Sequence, residues 1–118
     1  MNIEILKGLV LTDVRQVDDS EIHFSCQDRT FKMLHHQDCC ENVWIEDVNG
    51  DFMDLVGSPI LVADKREEDN PNAYESGMFT FYTLRTNKGS VDIRWNGESN
   101  GYYSESVDFI EIAVATPA

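Results

Sequence analysis

The stretch "MFTFYTLRTNKGSVDIRWN" (78–96) decides the fold, because it holds two alternating segments on either side of a short turn. Residues 78–86 and 90–96 place apolar and polar side chains at alternate positions, which is the pattern of half-buried β-strands. The intervening "NKG" ends in Gly89, which suits the left-handed position of a three-residue hairpin turn. We therefore predict an antiparallel β-hairpin over this stretch.

Alternation with a period of two continues on the N-terminal side of this hairpin. Residues 9–17 and 21–26, joined by the polar Asp18–Ser20, predict a first hairpin. Residues 30–36 and 42–48 predict a third and a fourth strand, each bounded by polar turn residues. The first half of the chain is thus expected to be largely β as well.

One segment, "DFMDLVG" (51–57), departs from the period of two. Asp51 is a plausible N-cap, and Phe52, Leu55 and Val56 have the i, i+3, i+4 spacing of an apolar helix face. The following glycine and proline end the element. The segment predicts a short helix or a single helical turn.

The segments that flank the central hairpin complete the predicted fold. Residues 60–64 form a continuous apolar run, which predicts a strand buried on both faces. Residues 65–77 are charged, lack apolar periodicity and predict a mobile loop, whereas a last strand begins near Val107. Together these elements predict a mainly β fold, an antiparallel small barrel or sandwich of about seven or eight strands, with an α+β arrangement as the alternative.

Length and composition fit a single domain in a reducing compartment. The chain has 118 residues, of which 42% are hydrophobic, enough for one core. No apolar run approaches the roughly 18–20 residues needed to cross a bilayer, and the start "MNIEILKGLV" lacks the pattern of a signal peptide. Cys26 and the adjacent Cys39 and Cys40 are expected to be reduced, because a bridge between neighbouring cysteines is strained. We expect a cytoplasmic protein without membrane association.

Acidic residues strongly outnumber basic ones, with 22 Asp and Glu against 9 Lys and Arg and a formal net charge of -13. A field of this sign opposes binding to phosphate groups, so direct binding of nucleic acid or of an anionic membrane is not expected. The charge is compatible with the reverse role, in which the protein occupies a basic groove on another protein. It also favours solubility without any partner.

The segment "HHQDCCE" (35–41) is the densest cluster of side chains that bind metals. Zinc accepts Cys, His and carboxylate ligands, usually in a closed set of four, and so short a segment seldom supplies all four. We therefore expect no cofactor, and if zinc does bind, its ligands here are His36, Asp38 and Cys40. A wider set of four, His23, Cys26, His36 and Cys40, is conceivable if those strands are neighbours.

The same segment offers a thiol and a base. Cys39 or Cys40 beside His36 is the pair that thiol catalysis needs, but the surrounding acids oppose formation of the thiolate. Buried cysteine also acts as a small apolar residue, and His and Asp often bond turn backbone. The candidate binding residues of this segment are His36, Asp38, Cys39, Cys40 and Glu41.

A second dense polar stretch, "WNGESNGYYSE" (95–105), mixes aromatic rings with hydrogen-bonding groups. This mixture is expected at binding surfaces, although composition alone favours a polar turn followed by core aromatics. Its two glutamates are too unspecific to be assigned as a catalytic pair. The candidate binding residues of this stretch are Trp95, Ser99, Asn100, Tyr102 and Tyr103.

Three short runs carry a resemblance that covers roughly residues 8 to 110. They are His-x-Asp-Cys-Cys-Glu at 36–41, Gly-Asp-x-x-Asp-Leu at 50–55 and Ser-Asn-Gly-Tyr-Tyr-Ser at 99–104. The chain resembles a family of small proteins of unknown function that occur mainly in bacteriophages and prophages. The resemblance implies a phage-derived protein that acts in a bacterial cytoplasm, and it suggests that the two polar stretches belong to one shared feature at one end of the sheet.

These observations favour a binding protein over an enzyme. Small size, acidity and the phage-like character lead to our first hypothesis, a non-catalytic protein that modulates or inhibits a host bacterial protein, such as a defence or nucleic-acid enzyme. The alternative is a small-ligand or nucleotide-signal binder in which Trp95, Tyr102 and Tyr103 stack on a base, although acidity opposes phosphate binding. A further alternative is a metal-dependent or thiol enzyme centred on residues 35–41.

Overall fold

The computed structural model describes residues 2–36, 41–73, 75–100 and 105–112, which form two four-stranded antiparallel sheets. The first sheet has the strand order β1-β2-β3-β8 and the second has the order β4-β7-β6-β5. The described strands are β1 (Leu11–Asp18), β2 (Glu21–Cys26), β3 (Thr30–Leu34), β4 (Asn42–Asn49), β5 (Val62–Asp69), β6 (Ser76–Arg85), β7 (Ser90–Ser99) and β8 (Asp108–Ile112). The prediction of a mainly β, antiparallel fold is confirmed, and the sheets form a sandwich without closing into a barrel.

The central hairpin is the pair β6 and β7, which align from Ser76 opposite Ser99 to Arg85 opposite Ser90. Its turn has four residues rather than three, with the Thr86 N–H donating to the Gly89 carbonyl at 2.9 Å. The prediction that Gly89 adopts a left-handed conformation is wrong, since its φ is not positive. A Cβ there would lie 2.7 Å from a carboxylate oxygen of Asp54, so a larger residue would require the Asp54 side chain to move.

Inward-facing side chains from both sheets share one core. Val91, Ile93 and Trp95 of β7 are fully or almost fully buried, as the period of two requires. The Trp95 Nε1–H points at the Met33 sulfur of β3 across a distance of 3.2 Å, and this contact joins the two sheets. Phe31 and Phe109 on neighbouring strands of the first sheet stack with ring centroids 5.4 Å apart.

Two 3-10 turns close the sandwich. Ile3–Leu6 begins at Asn2, whose side chain accepts the Glu4 N–H at 3.0 Å. Phe52–Leu55 begins at Asp51, whose carboxylate accepts the Met53 N–H at 2.9 Å. The prediction of one short helix or turn near residues 51–57, with Asp51 as its N-cap, is confirmed as a single 3-10 turn.

Strand β5 corrects two predictions. Residues 60–64 are not a strand buried on both faces, because β5 lies at the edge of its sheet and Ala63 is its only buried residue. Residues 65–77 are not one loop, since 65–69 pair with β6 as the second half of β5 and β6 begins at Ser76. The charges misled the prediction because a charged sequence is also what protects an edge strand from pairing with another chain.

Candidate functional site

Four strand ends meet at one end of the sandwich, where they hold a polar cluster consisting of His35, Glu41, Ser99 and Glu105. His35 follows β3, Glu41 precedes β4, Ser99 ends β7 and Glu105 lies shortly before β8. Nε2 of His35 lies 3.0 Å from Oε1 of Glu41, and the Ser99 hydroxyl donates to Oε2 of Glu105 at 2.5 Å. Nδ1 of His35 lies 2.6 Å from the Ser106 carbonyl oxygen. The first polar stretch therefore contacts the chain at Ser106, directly after the second stretch.

Both ring nitrogens of His35 face acceptors. Nδ1 faces the Ser106 carbonyl and Nε2 faces the Glu41 carboxyl. A neutral imidazole has only one N–H, so with an ionised carboxylate one of these two contacts would have no proton between its atoms. The pair must hold an imidazolium with a carboxylate, or a neutral ring with a protonated carboxyl. The two side chains are only 4% and 1% exposed. Such a closed pair orders the strand ends and leaves no open acid–base site.

Gly97 of β7 makes room for the second half of the polar cluster. A Cβ at this position would lie 2.9 Å from the Glu105 Cβ and 3.0 Å from the Glu105 carbonyl oxygen. Real Cβ atoms do not approach neighbours so closely, so the chain before β8 can lie on β7 only because residue 97 is a glycine. This close approach brings Glu105 to Ser99.

Sequence reasoning missed His35 and Glu105, yet a simple signal identifies them. Each member of the polar cluster lies an even number of residues from the inward-facing residues of its strand, so its side chain points to the same side as they do. His35 follows Phe31 and Met33, Glu105 precedes Val107 and Phe109, and the other two members extend their strands in the same way. A polar residue on an inward-facing stripe just beyond a strand end is therefore the pattern that finds this cluster.

The residues predicted from sequence separate in space. Glu41 is buried in the polar cluster and Ser99 belongs to it, whereas His36 and Asn100 are exposed. Trp95 does not contribute to a binding surface as predicted, because it is 0% exposed and packs in the core. Trp95 lies two residues after Ile93 and four after Val91, so its side chain points into the core as theirs do. The candidates that lie outside the described residues are Asp38, Cys39, Cys40, Tyr102 and Tyr103.

The wider zinc set is contradicted by the geometry of β2. His23 and Cys26 are separated by three positions, so they lie on opposite faces of the sheet. Cys26, a free thiol, packs against the core, while the His23 ring lies 3.3 Å from a carboxylate oxygen of Glu21. Within the described part of the chain, no three His, Cys, Asp or Glu side chains are grouped to hold a metal ion. The narrower set at residues 36–40 includes positions outside that part.

The outer face of the second sheet carries a second candidate surface, which we call the aromatic face: Trp44, Phe79, Phe81, Arg66 and Arg94. Trp44 and Phe79 both pair with Asn96 of β7, and Phe81 pairs with both arginines on its neighbouring strands. All three aromatic rings are only partly buried. Outward positions of a sandwich are usually polar, so partly exposed rings on three of them need an explanation.

Arginine side chains cover part of this face. The Arg66 guanidinium lies 4.6 Å from the Phe81 ring centroid, and the Arg94 guanidinium lies 6.0 Å from that of Phe79. Each arginine also reaches a carboxylate, since Arg66 lies 3.2 Å from Glu68 and Arg94 lies 3.3 Å from an oxygen of Glu46. These pairs are exposed and are worth little to stability on their own. They do fix the guanidinium planes beside the rings.

One family model matches residues 3–109, nearly the whole chain, and its description is a domain of unknown function, DUF7448. The chain belongs to the DUF7448 family. No significant match links it to a curated protein or to a solved structure. The polar cluster and the aromatic face both lie within the matched DUF7448 region. In the part of the chain that the structure describes, no helix has the length and apolar character to span a membrane.

Proposed function

We propose that the protein is a phage-derived, non-catalytic binding protein that acts in the bacterial cytoplasm and modulates a host protein through its aromatic face. The observation that carries this proposal is the presence of Trp44, Phe79 and Phe81, partly exposed, on the outer face of one sheet. Tryptophan and arginine are enriched at the residues that contribute most to protein–protein binding, and aromatic residues in general are enriched at interfaces. The aromatic face combines these residue types on a rigid, hydrogen-bonded sheet.

Charge indicates the kind of partner. Strand register places five acidic residues on the outer face of the same sheet, against three arginines. The acids are Asp47, Asp64, Glu68, Asp92 and Glu98, and the arginines are Arg66, Arg85 and Arg94. Arg66 and Arg94 are already paired with carboxylates, so the surface as a whole presents negative charge. A net charge of -13 adds long-range attraction to a positively charged target. The partner surface is therefore basic, as in a groove that binds nucleic acid.

The polar cluster supports binding over catalysis. His35 and Glu41 are closed off from solvent and face each other, so neither presents a free group to a substrate. A stacking site built on Trp95 for a nucleotide is not supported, because the indole is in the core. Of the two candidate surfaces among the described residues, the aromatic face is more exposed to solvent than the polar cluster, and it carries the residue types that are enriched at protein interfaces.

The test is affinity capture from bacterial lysate followed by mass spectrometry, with three forms of the protein as bait. Phe81→Ser removes one ring from the centre of the aromatic face, and Val17→Ser is the matched control because Val17 is an exposed apolar residue of the first sheet. We expect a reproducible basic partner that binds the wild type and Val17→Ser and is lost with Phe81→Ser. Binding should weaken as salt rises.

Two results would contradict the proposal. One is the lack of any reproducible partner at micromolar bait. The other is capture of the same partner by all three forms, provided that thermal unfolding shows Phe81→Ser to be folded. Trp44→Ala serves as a second variant if Phe81→Ser does not fold.

A further inference from the structure

A cavity of about 510 Å³ opens on the side of the sandwich where β5 and β8 are both edge strands. The first 3-10 turn covers it, and its apolar wall consists of Ile3, Val107 and Phe109. This volume lies within the usual range for small-molecule sites. The cavity is separate from the polar cluster, with which it shares none of its lining residues.

Tyr82 of β6 also lines this cavity. The residue is 1% exposed, and its hydroxyl has no hydrogen-bond partner among the described residues. Buried polar side-chain atoms in native proteins nearly always have a partner, because an unpaired buried hydroxyl costs free energy. An unpaired hydroxyl beside an open cavity therefore marks a place where a ligand atom can complete the bonding.

The tyrosine hydroxyl stays protonated over the accessible pH range. Burial, followed by the negative charges of Glu67 and Asp108, raises the pKa of Tyr82 well above its ordinary value. A neutral phenol is both a donor and an acceptor. It can therefore accept an N–H of a cationic ligand without any change in its own charge.

The charges around the cavity favour a cation. Glu4 lines it, and the carboxylates of Glu67 and Asp108 act on the tyrosine beside it. Lys65 is the one basic side chain among the lining residues described, and its charge is already engaged. Its Nζ donates to the Val107 carbonyl at 3.4 Å and lies 3.6 Å from a Glu67 carboxylate oxygen. An anionic ligand such as a nucleotide would meet repulsion here.

We propose that this cavity binds a small organic cation, with an apolar body against Ile3 and Phe109 and a primary ammonium group that donates to the Tyr82 hydroxyl. The carboxylate of Glu4, an exposed lining residue, balances the ammonium charge. This ligand site is independent of the aromatic face.

Isothermal titration calorimetry with three matched probes tests the assignment. Phenethylamine has the apolar body and the ammonium group, 2-phenylethanol has the same body without charge, and phenylacetate has the opposite charge. We expect saturable binding of phenethylamine, weaker binding of 2-phenylethanol and none of phenylacetate. Tyr82→Phe should weaken phenethylamine binding roughly tenfold, the effect of one hydrogen bond to a charged group.

Two further variants make the result decisive. Glu4→Gln, at an exposed position, should also weaken phenethylamine binding, while Val17→Ser on the first sheet should leave it unchanged. Tyr82→Phe without ligand should unfold at the same or a higher temperature than the wild type, since it removes an unpaired buried hydroxyl. No saturable binding at millimolar phenethylamine, equal binding of the three probes, or full affinity in Tyr82→Phe would each overturn the proposal.

Discussion

His35 and Glu41 join the two sheets through a buried contact, with 3.0 Å between the ring nitrogen Nε2 and the carboxyl oxygen Oε1. His35 extends β3 of the first sheet and Glu41 leads into β4 of the second. The pair thus spans the crossover between the sheets, and the Ser106 carbonyl fixes the other side of the ring.

Replacement of His35 by Ala should lower the free energy of unfolding by about 1–3 kcal/mol, because it removes the buried imidazole that contacts both the Glu41 carboxyl and the Ser106 carbonyl. Urea denaturation gives the value. His36→Ala is the matched control, since His36 is exposed, and its effect should be within about 0.5 kcal/mol. Equal effects of the two substitutions would show that the pair does not stabilise the fold.

Gly97→Ala should destabilise the protein by about 1–3 kcal/mol, because the new methyl group overlaps Glu105. The chain before β8 would have to move away from β7, which would lengthen the contact between Ser99 and Glu105. Ser90→Ala, at an exposed position of the same strand, is the control. The prediction fails if both variants unfold at the same urea concentration.

The two tryptophans should differ in their contribution to stability. Trp95→Phe removes a buried N–H contact to the Met33 sulfur and leaves a void, so it should cost about 1–3 kcal/mol. Trp44→Phe, on the outer face, should change the free energy of unfolding much less. Thermal unfolding of each variant gives the difference in stability. The emission spectrum of each folded variant shows which tryptophan has the blue-shifted emission maximum, and we expect this to be the buried Trp95.

Arg29 and Glu111 should make stability depend on pH. Two hydrogen bonds of 2.9 Å from the Arg29 guanidinium hold the pKa of Glu111 below its ordinary value of 4.5. A carboxyl whose pKa is lower in the folded state stabilises that state above its unfolded pKa and ceases to do so as pH falls through the folded value. Glu111→Gln should therefore lower the melting temperature at neutral pH and have no effect in strong acid.

Ionic strength provides a control for the contribution of the Arg29–Glu111 pair to the melting temperature. Both groups are at the surface, so the difference between Glu111→Gln and the wild type should shrink as ionic strength rises. A difference that is constant with pH would assign the effect to packing of the side chain instead of its charge.

Local alternation in the sequence was enough to predict most strands and the N-cap at Asp51. It was not enough for β5, because the position of a strand at the edge of a sheet depends on contacts made elsewhere in the chain. In β6 both faces carry large apolar residues, such as Phe81 and Tyr82, so alternation alone does not say which face is buried. The partly exposed rings of the aromatic face were hidden for this reason.

Local sequence was also not enough to identify the residues of the polar cluster. Composition pointed to His36 and Trp95, whereas strand parity places His35 and Glu105 toward the interior and Trp95 in the core. Which polar groups meet depends on the crossover of strands between sheets, and that information is not local.

The pairing of β3 with β8, which sets Thr30 opposite Ile112, has a consequence for synthesis on the ribosome. The first three strands emerge early, but the outer edge of β3 has no partner until almost the entire domain has been translated. Long-range pairing of this kind slows folding and leaves a strand edge open in the nascent chain. We therefore expect the first sheet to be the part that depends most on chaperones and on the rate of translation.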